Sequence, residues 1–301
     1  DGSEEVVRGP ARTIGASDVP VILTRDDGSP LSPYADASPF ALWARLTGRA
    51  TQRHPDTPAQ ARGHMLEPGI LLRLAAETGR QVMPNAIRLN AIDEGIDHWR
   101  HATPDGLLWE PTSTPPADRR PTELAEAKAL RFLDGWGDHG TDQVRVDYVG
   151  QVVWQMACTG VGAVYVGAFG TYRDDWRVFR VERDPVLEAT VTAIVRSWWD
   201  THVVADTPPP YDDTAAAARA LGRMHTEVTG ERMQATPRDL ELVSALRALD
   251  EHLAAAKSRR QRLRNELQDR IGTTTHLLHG ADVIARVSTP RRPGAPRRLT
   301  V

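Results

Sequence analysis

Glu126 and Lys128 stand two residues apart in the run Leu124-Ala125-Glu126-Ala127-Lys128. In a β-strand, residues i and i+2 share a face, so the two side chains stand side by side. Lys128 is one of only two lysines, the other being Lys257, among 37 cationic residues. A chain that writes nearly every positive charge as arginine has kept a compact ammonium here, which implies that the position needs lysine. Twenty-one residues before Glu126 lies Thr103-Pro104-Asp105-Gly106, a turn-like segment expected to present Asp105 at the end of a neighbouring strand. Two carboxylates and a lysine then converge. Hard carboxylate pairs suit Mg²⁺ or Mn²⁺, and an adjacent ammonium stabilises negative charge on an attacking water or a phosphate, which is the chemistry of phosphodiester hydrolysis. Taken alone, the same residues also read as a surface ion pair worth little.

The chain's 301 residues, 40% hydrophobic and 26% charged, suffice for one substantial core or two small ones. The longest apolar stretch, residues 161–169, contains two glycines and is too short to span a bilayer, and residues 1–10 hold no signal-peptide apolar core. A cytoplasmic protein without membrane contact is therefore expected. A single cysteine, Cys158, excludes an intrachain disulfide and any four-cysteine zinc or iron–sulfur site. The net charge of −3 hides an asymmetry: residues 257–301 carry eleven cations against Glu266, Asp269 and Asp282, a net +8, which leaves −11 on residues 1–256. An acidic body with a basic tail suits a protein that gathers metal at one place and polyanion at another. A solvated, arginine-rich helix accounts for the tail equally well.

Along the chain, Ser17 or Asp18 is expected to cap a short helix, and residues 41–48 read as a short amphipathic helix stopped by Gly48. Ile70, Leu71, Leu74 and Ala75 before Gly79 make a further helical pattern, with Glu67 in or just before its first turn because Pro68 is best tolerated there. Residues 81–110 and 123–130 suggest a meander of strands, interrupted by the proline-rich loop 111–121. Residues 148–159 read as a helix with Tyr148, Gln151 and Gln155 on one face and Val149, Val153 and Met156 on another. Residues 164–169 and 176–181 read as a hairpin, and 187–199 as a helix. The expected organisation is an α/β layered domain over residues 11–205, a linker or insertion at 206–236, and a long charged helix with a basic tail at 237–301, the tail poorly ordered over residues 290–296.

The succession Gly15-Ala16-Ser17-Asp18, Gly63-His64-Met65-Leu66-Glu67-Pro68, Thr103-Pro104-Asp105-Gly106, Glu126-Ala127-Lys128, Trp136-Gly137 and Tyr148-Val149-Gly150-Gln151 resembles the YqaJ-type viral recombinase family, relatives of lambda exonuclease with the PD-(D/E)XK nuclease fold. The resemblance covers residues 11–205. It implies a restriction-endonuclease-like core, a central mixed β-sheet flanked by helices, with a mostly helical C-terminal extension. It also implies a metal-dependent exonuclease that degrades one strand of double-stranded DNA from its 5′ end and leaves a 3′ overhang for a single-strand annealing partner. Carried onto this sequence, Asp105 and Glu126 would hold Mg²⁺ or Mn²⁺, with the Ala127 carbonyl as a further ligand. Lys128 would orient or activate the attacking water, and Glu67 would complete the metal shell. Gln151, on the helix that begins near Tyr148, would hydrogen-bond the nucleophile or the DNA. Arg12 and Ser17 fall where the family places a 5′-phosphate pocket. A homo-oligomeric ring, of three subunits in the family's best-known member, is also implied.

Each of these residues has a plainer reading in isolation: Glu67 as a charge favourable to a helix dipole, Gln151 as a surface glutamine, Tyr148 as a core or interface residue. Two other functions compete, a structure-specific or restriction-like endonuclease on the same fold and a catalytically inactive DNA-end-binding protein. His98 and His101 flank Trp99 but point to opposite faces if extended, which argues against a metal pair. Alanine precedes both lysines, so no Walker A loop exists and a fused ATPase motor is excluded.

Overall fold

A computed structural model describes residues 12–50, 57–85, 88–90, 99–110, 121–227, 230–288 and 297–301. The chain divides into two compact units, Asp1–Glu227 and Val228–Val301.

The first unit opens with a short 3₁₀ turn, Ala16–Asp18, that runs into α1, Val19–Ile22. Asp18 does not cap α1 with its side chain; its Oδ2 accepts the Gly15 amide at 3.0 Å instead, while Ser17 is exposed. Ser38 caps α2, Pro39–Leu46, by accepting the Ala41 amide. Helix α3, Pro58–Thr78, begins nine residues before Glu67 and carries Pro68 in its interior. Glu67 is therefore mid-helix, not in the first turn as expected. The start is fixed by Thr57, whose hydroxyl accepts the Gln60 amide while the Gln60 side chain returns to the Thr57 amide. Pro58 supplies the proline of the first turn, and Pro68 is the costlier interior proline.

Strands β1 (Gln81–Pro84), β2 (Leu89–Asn90), β3 (His101–Ala102), β4 (Gly106–Trp109) and β5 (Glu123–Leu130) follow, then helix α4 (Val146–Thr159), strands β6 (Ala163–Gly170) and β7 (Asp175–Glu182), and helix α5 (Pro185–Trp198). The main sheet has the order β1-β4-β5-β6-β7. Every neighbour in it is antiparallel except β5 and β6, which α4 joins as a parallel crossover. The proline-rich loop between β4 and β5, whose residues 111–120 lie outside the described set, leaves their register regular, with Gly106 opposite Ala125 and Leu108 opposite Glu123. This mixed sheet flanked by helices has the layered α/β organisation expected from the sequence.

The two faces of the sheet differ because β5 alternates small and large side chains. Ala125 and Ala127 join Leu71, Leu74, Leu108, Tyr165 and Trp176 beneath α3. Gly167 admits that helix: a Cβ there would lie 2.9 Å from Ile70 Cγ2 and 3.0 Å from the Trp176 ring. On the opposite face, Leu124, Leu130, Val164, Val166 and Phe179 pack against Tyr148, Val152 and Met156 of α4. The outer side of α4, with Val153 and Cys158, packs on α1 and α5.

Residues read as linker or insertion carry helix α6, Ala215–Met224, whose Ala217 and Ala220 pack with Phe40, Trp43 and Ala44 of α2. Before it, α5 ends in a single π-helical turn, Trp199–Val204.

The second unit holds α7, Pro237–Ile271, capped by a Thr236–Asp239 box, then strands β8 (His276–His279), β9 (Asp282–Ser288) and β10 (Arg298–Thr300) in the antiparallel order β10-β9-β8. Ile271, Ala285, Val287 and Leu299 form its core. The segment expected as a poorly ordered tail, residues 290–296, lies outside the described residues, between β9 and β10. Among the described residues, no helix is long and apolar enough to cross a membrane.

Candidate active site

Because β5 alternates, Glu126 and Lys128 project with Leu124 onto the face covered by α4. Helix α4 answers with Tyr148, Gln151 and Gln155, which recur at three and four residues and so line one stripe. Gly150 lets this helix seat tightly: a Cβ there would approach Leu23 Cδ1 to 2.7 Å. The pairing brings a carboxylate, an ammonium and two carboxamides into one buried cluster.

Glu126 is 2% exposed and receives three donors. Lys128 Nζ lies 2.5 Å from its Oε1, Gln151 Nε2 donates to the same oxygen, and Gln155 Nε2 donates to Oε2 at 2.6 Å. Lys128 Nζ also donates to Gln151 Oε1 at 3.1 Å, and lies 5.1 Å from the Tyr148 ring centroid. Gln151 therefore has its orientation dictated from both ends, its oxygen toward the ammonium and its nitrogen toward the carboxylate. Burial alone would lower the Lys128 pKa, but the charges of Glu126 and Asp105 and the hydrogen bond to Glu126 outweigh it and hold the ammonium form well above its ordinary range. Burial likewise pushes the Tyr148 phenol up to about 12.

Asp105 precedes β4 and stands where that strand ends. Its Oδ2 accepts the Ala127 amide at 2.7 Å, replacing the strand partner that β4 no longer supplies. The amide and carbonyl of a strand residue point to the same side in such a ladder, so the Ala127 carbonyl shares this edge with Asp105. Burial first, and the negative charge of Glu126 second, push the Asp105 carboxyl up to about 8, against the opposing pull of Lys128 and the Ala127 amide. Glu67 on α3 adds to this rise, so its charge too is felt at the site.

This environment fits a divalent cation. The buried Glu126 carboxylate, the half-buried Asp105 carboxylate that it repels and a nearby carbonyl are hard oxygen donors, and a dication would relieve the repulsion. Among the described residues, no three His, Cys, Asp or Glu side chains gather at metal-binding spacing.

The expected residues Asp105, Glu126, Ala127, Lys128, Gln151 and Tyr148 thus come together, with Glu67 acting through its charge on Asp105. Arg12 and Ser17 do not join the cluster's hydrogen bonds; both are exposed, and Arg12 exerts its charge on Asp206, which pairs with Arg49. His101 is neutral at pH 7, its pKa lowered to about 4 by burial, and His98 lies outside the described residues. One contributor escaped the sequence reading. Gln155 was placed on the correct face without a role, though a glutamine in the buried stripe of an apolar helix is itself a sign of a polar partner.

The family model of the YqaJ-like viral recombinase domain matches residues 8–162 of this chain. The chain belongs to that family. Its members are nucleases of the phage exonuclease type, for which DNA is the substrate and a divalent metal the cofactor. Solved structures similar to the chain include an alkaline exonuclease, LHK-Exo, from Laribacter hongkongensis, with 22% identity, a TM-score of 0.48, and coverage of 65% of this chain and 89% of that one. LHK-Exo in complex with dAMP matches with 22% identity and a TM-score of 0.44, over 71% of this chain and 94% of that one. A phage related exonuclease from Haemophilus somnus 129PT matches with 12% identity and a TM-score of 0.42, over 65% and 96%. A comparison with curated proteins gave no match.

Proposed function

We propose that this chain is a Mg²⁺- or Mn²⁺-dependent exonuclease that degrades the 5′-ended strand of double-stranded DNA and leaves 3′ overhangs. The observation that carries the reading is the buried Glu126–Lys128–Gln151 cluster beside Asp105, where acid, ammonium and amide meet on the sheet. A bound divalent ion would polarise the scissile phosphate and lower the pKa of a coordinated water. Asp105, Glu126 and the Ala127 carbonyl are its proposed holders, with Glu67 adjusting the local charge. Gln155 and Gln151 fix the Glu126 carboxylate in one orientation, and Lys128 Nζ offers a compact positive donor to the attacking oxygen and to charge developing on phosphate. Arg12 and Ser17, exposed on the segment leading into α1, are the guanidinium and hydroxyl proposed for a 5′ phosphate. A closed ring of subunits would keep such an enzyme on its substrate, and a single-strand annealing protein is the partner that its product invites.

Linear duplex DNA with or without a 5′ phosphate, incubated with Mg²⁺, Mn²⁺ or EDTA, tests the reading. Metal-dependent loss of one strand, stimulated by the 5′ phosphate and absent in Lys128→Ala, is expected. Nicking of closed circles would overturn the exonuclease in favour of an endonuclease. Binding without cleavage would leave an end-binding protein.

A further inference from the structure

Helix α7 carries a run of exposed leucines that the proposed chemistry does not use. Leu242, Leu246, Leu249, Leu253 and Leu263 are 47%, 62%, 58%, 55% and 56% exposed. With Leu246 at heptad position a, Leu253 and Leu267 are also a, and Leu242, Leu249, Ala256 and Leu263 are d. Apolar residues at a and d are the seam of a two-helix coiled coil, and a solvated helix has no reason to keep them aligned.

We infer that α7 pairs with α7 of a second copy, antiparallel, about a two-fold axis beside the alanines 254–256. Charge decides the direction. The first part of the helix, up to Ala256, holds Asp239, Glu241, Asp250 and Glu251 against Arg238 and Arg247, whereas the rest holds Lys257, Arg259, Arg260, Arg262, Arg264 and Arg270 against Glu266 and Asp269. Antiparallel packing lays the acidic part over the basic part; parallel packing lays like on like, with Arg259 facing Arg264 and His252 facing Lys257 across the seam. The antiparallel register that stacks Leu246 on Leu263 of the other copy also stacks Leu253 on Ala256 and Asp239 near Arg270, and sets Asp250 beside Lys257 twice. Arg260, opposite Leu249, covers the leucine with its stem and carries its charge outward, next to Asp250. At the far end Leu242 meets Leu267, which already lies against the core of the small sheet, so the seam is continuous with an apolar cluster. A 35-residue helix gives such a seam a length of about 50 Å. The contact is isologous, as a two-fold interface must be, and it is separate from any ring formed by the nuclease unit.

Sedimentation of the full-length protein tests this. Leu246→Glu/Leu253→Glu leaves the second unit's core of Ile271, Ala285, Val287 and Leu299 untouched, since both side chains are exposed. Its mass should be half that of the wild type, with circular dichroism unchanged. Equal masses would overturn the pairing. The charge exchange tests direction: Asp250→Lys and Lys257→Asp should each weaken association, and mixing the two, or combining them in one chain, should restore the wild-type mass. A parallel pair sets position 250 opposite Ala245 and position 257 opposite His252, so failure of the mixture to recover would overturn the antiparallel register.

Discussion

In the absence of metal, Asp105 should destabilise the fold that it serves, and Asp105→Asn should strengthen it. In the unfolded chain the carboxyl titrates at its ordinary value of 3.8, whereas burial and the charge of Glu126 raise it to about 8 in the fold. The sign follows from proton counts: between these values the folded protein keeps a proton that the unfolded chain has lost, so stability falls as pH rises through the window. Near pH 4 the residue costs little. At pH 7, roughly three pH units higher at about 1.4 kcal/mol each, the cost is about 4 kcal/mol, and it levels off above pH 8. Asparagine occupies the same space and its oxygen still accepts the Ala127 amide, but it has no charge to lose. Urea unfolding in EDTA at pH 5, 6, 7 and 8 should therefore show the variant gaining on the wild type by several kcal/mol across the series while losing cleavage altogether. Divalent metal should remove the wild type's deficit, because binding displaces the proton and the metal stabilises the folded state by mass action. The same pH slope for both proteins in EDTA would refute the argument, since Asp105 would then not be the carboxyl that holds the proton.

Lys128→Ala should abolish cleavage while retaining DNA binding, checked by a gel-shift assay beside a nuclease assay. It leaves Glu126 with the donors Gln151 and Gln155, so the chain should still fold. Gln155→Leu keeps the buried volume but removes the 2.6 Å donor to Glu126 Oε2, and should cost about 1–3 kcal/mol in chemical denaturation; a variant as stable as the wild type would mean that the carboxylate is held without it. Gly167→Ala drives a methyl group against Ile70 and Trp176 and should cost roughly 1–3 kcal/mol, read as a fall in thermal midpoint.

The site was legible where a periodicity carried it. A period of two set Glu126 and Lys128 side by side, and a period near 3.6 set Gln151 and Tyr148 on one face of α4, because both elements are long enough for their pattern to be unambiguous. Glu67 was misplaced because two prolines competed for one helix start. Pro68 was taken as the first turn, although Thr57-Pro58-Ala59-Gln60 contains the capping box that sets the boundary nine residues earlier. The C-terminal strands were missed for a different reason: β8 and β9 expose most of their side chains and bury only Ala285 and Val287, so little apolar alternation marks them. Helix α6 was passed over because alanine supplies its buried contacts, and an alanine run looks the same in sequence whether or not it packs.

The requirement for lysine at position 128 now has a geometric cause. Its ammonium sits between the Glu126 carboxylate and the Gln151 oxygen, above the Tyr148 ring, with the side chain 15% exposed. An arginine there would bring a planar fork of five donors into a space with two acceptors, the Glu126 Oε1 that Gln151 Nε2 already shares and the Gln151 amide oxygen. Some of those donors would be buried without partners, at a cost comparable to what the ion pair gains. The fork would also compete with Gln151 for Glu126 Oε1 and turn the carboxylate away from Asp105. A lysine presents three donors that rotate to meet what surrounds them, two of them spent on Glu126 and Gln151, and under the proposed function the third would meet an oxygen of the substrate. That is why a chain with 35 arginines still carries lysine at this strand position.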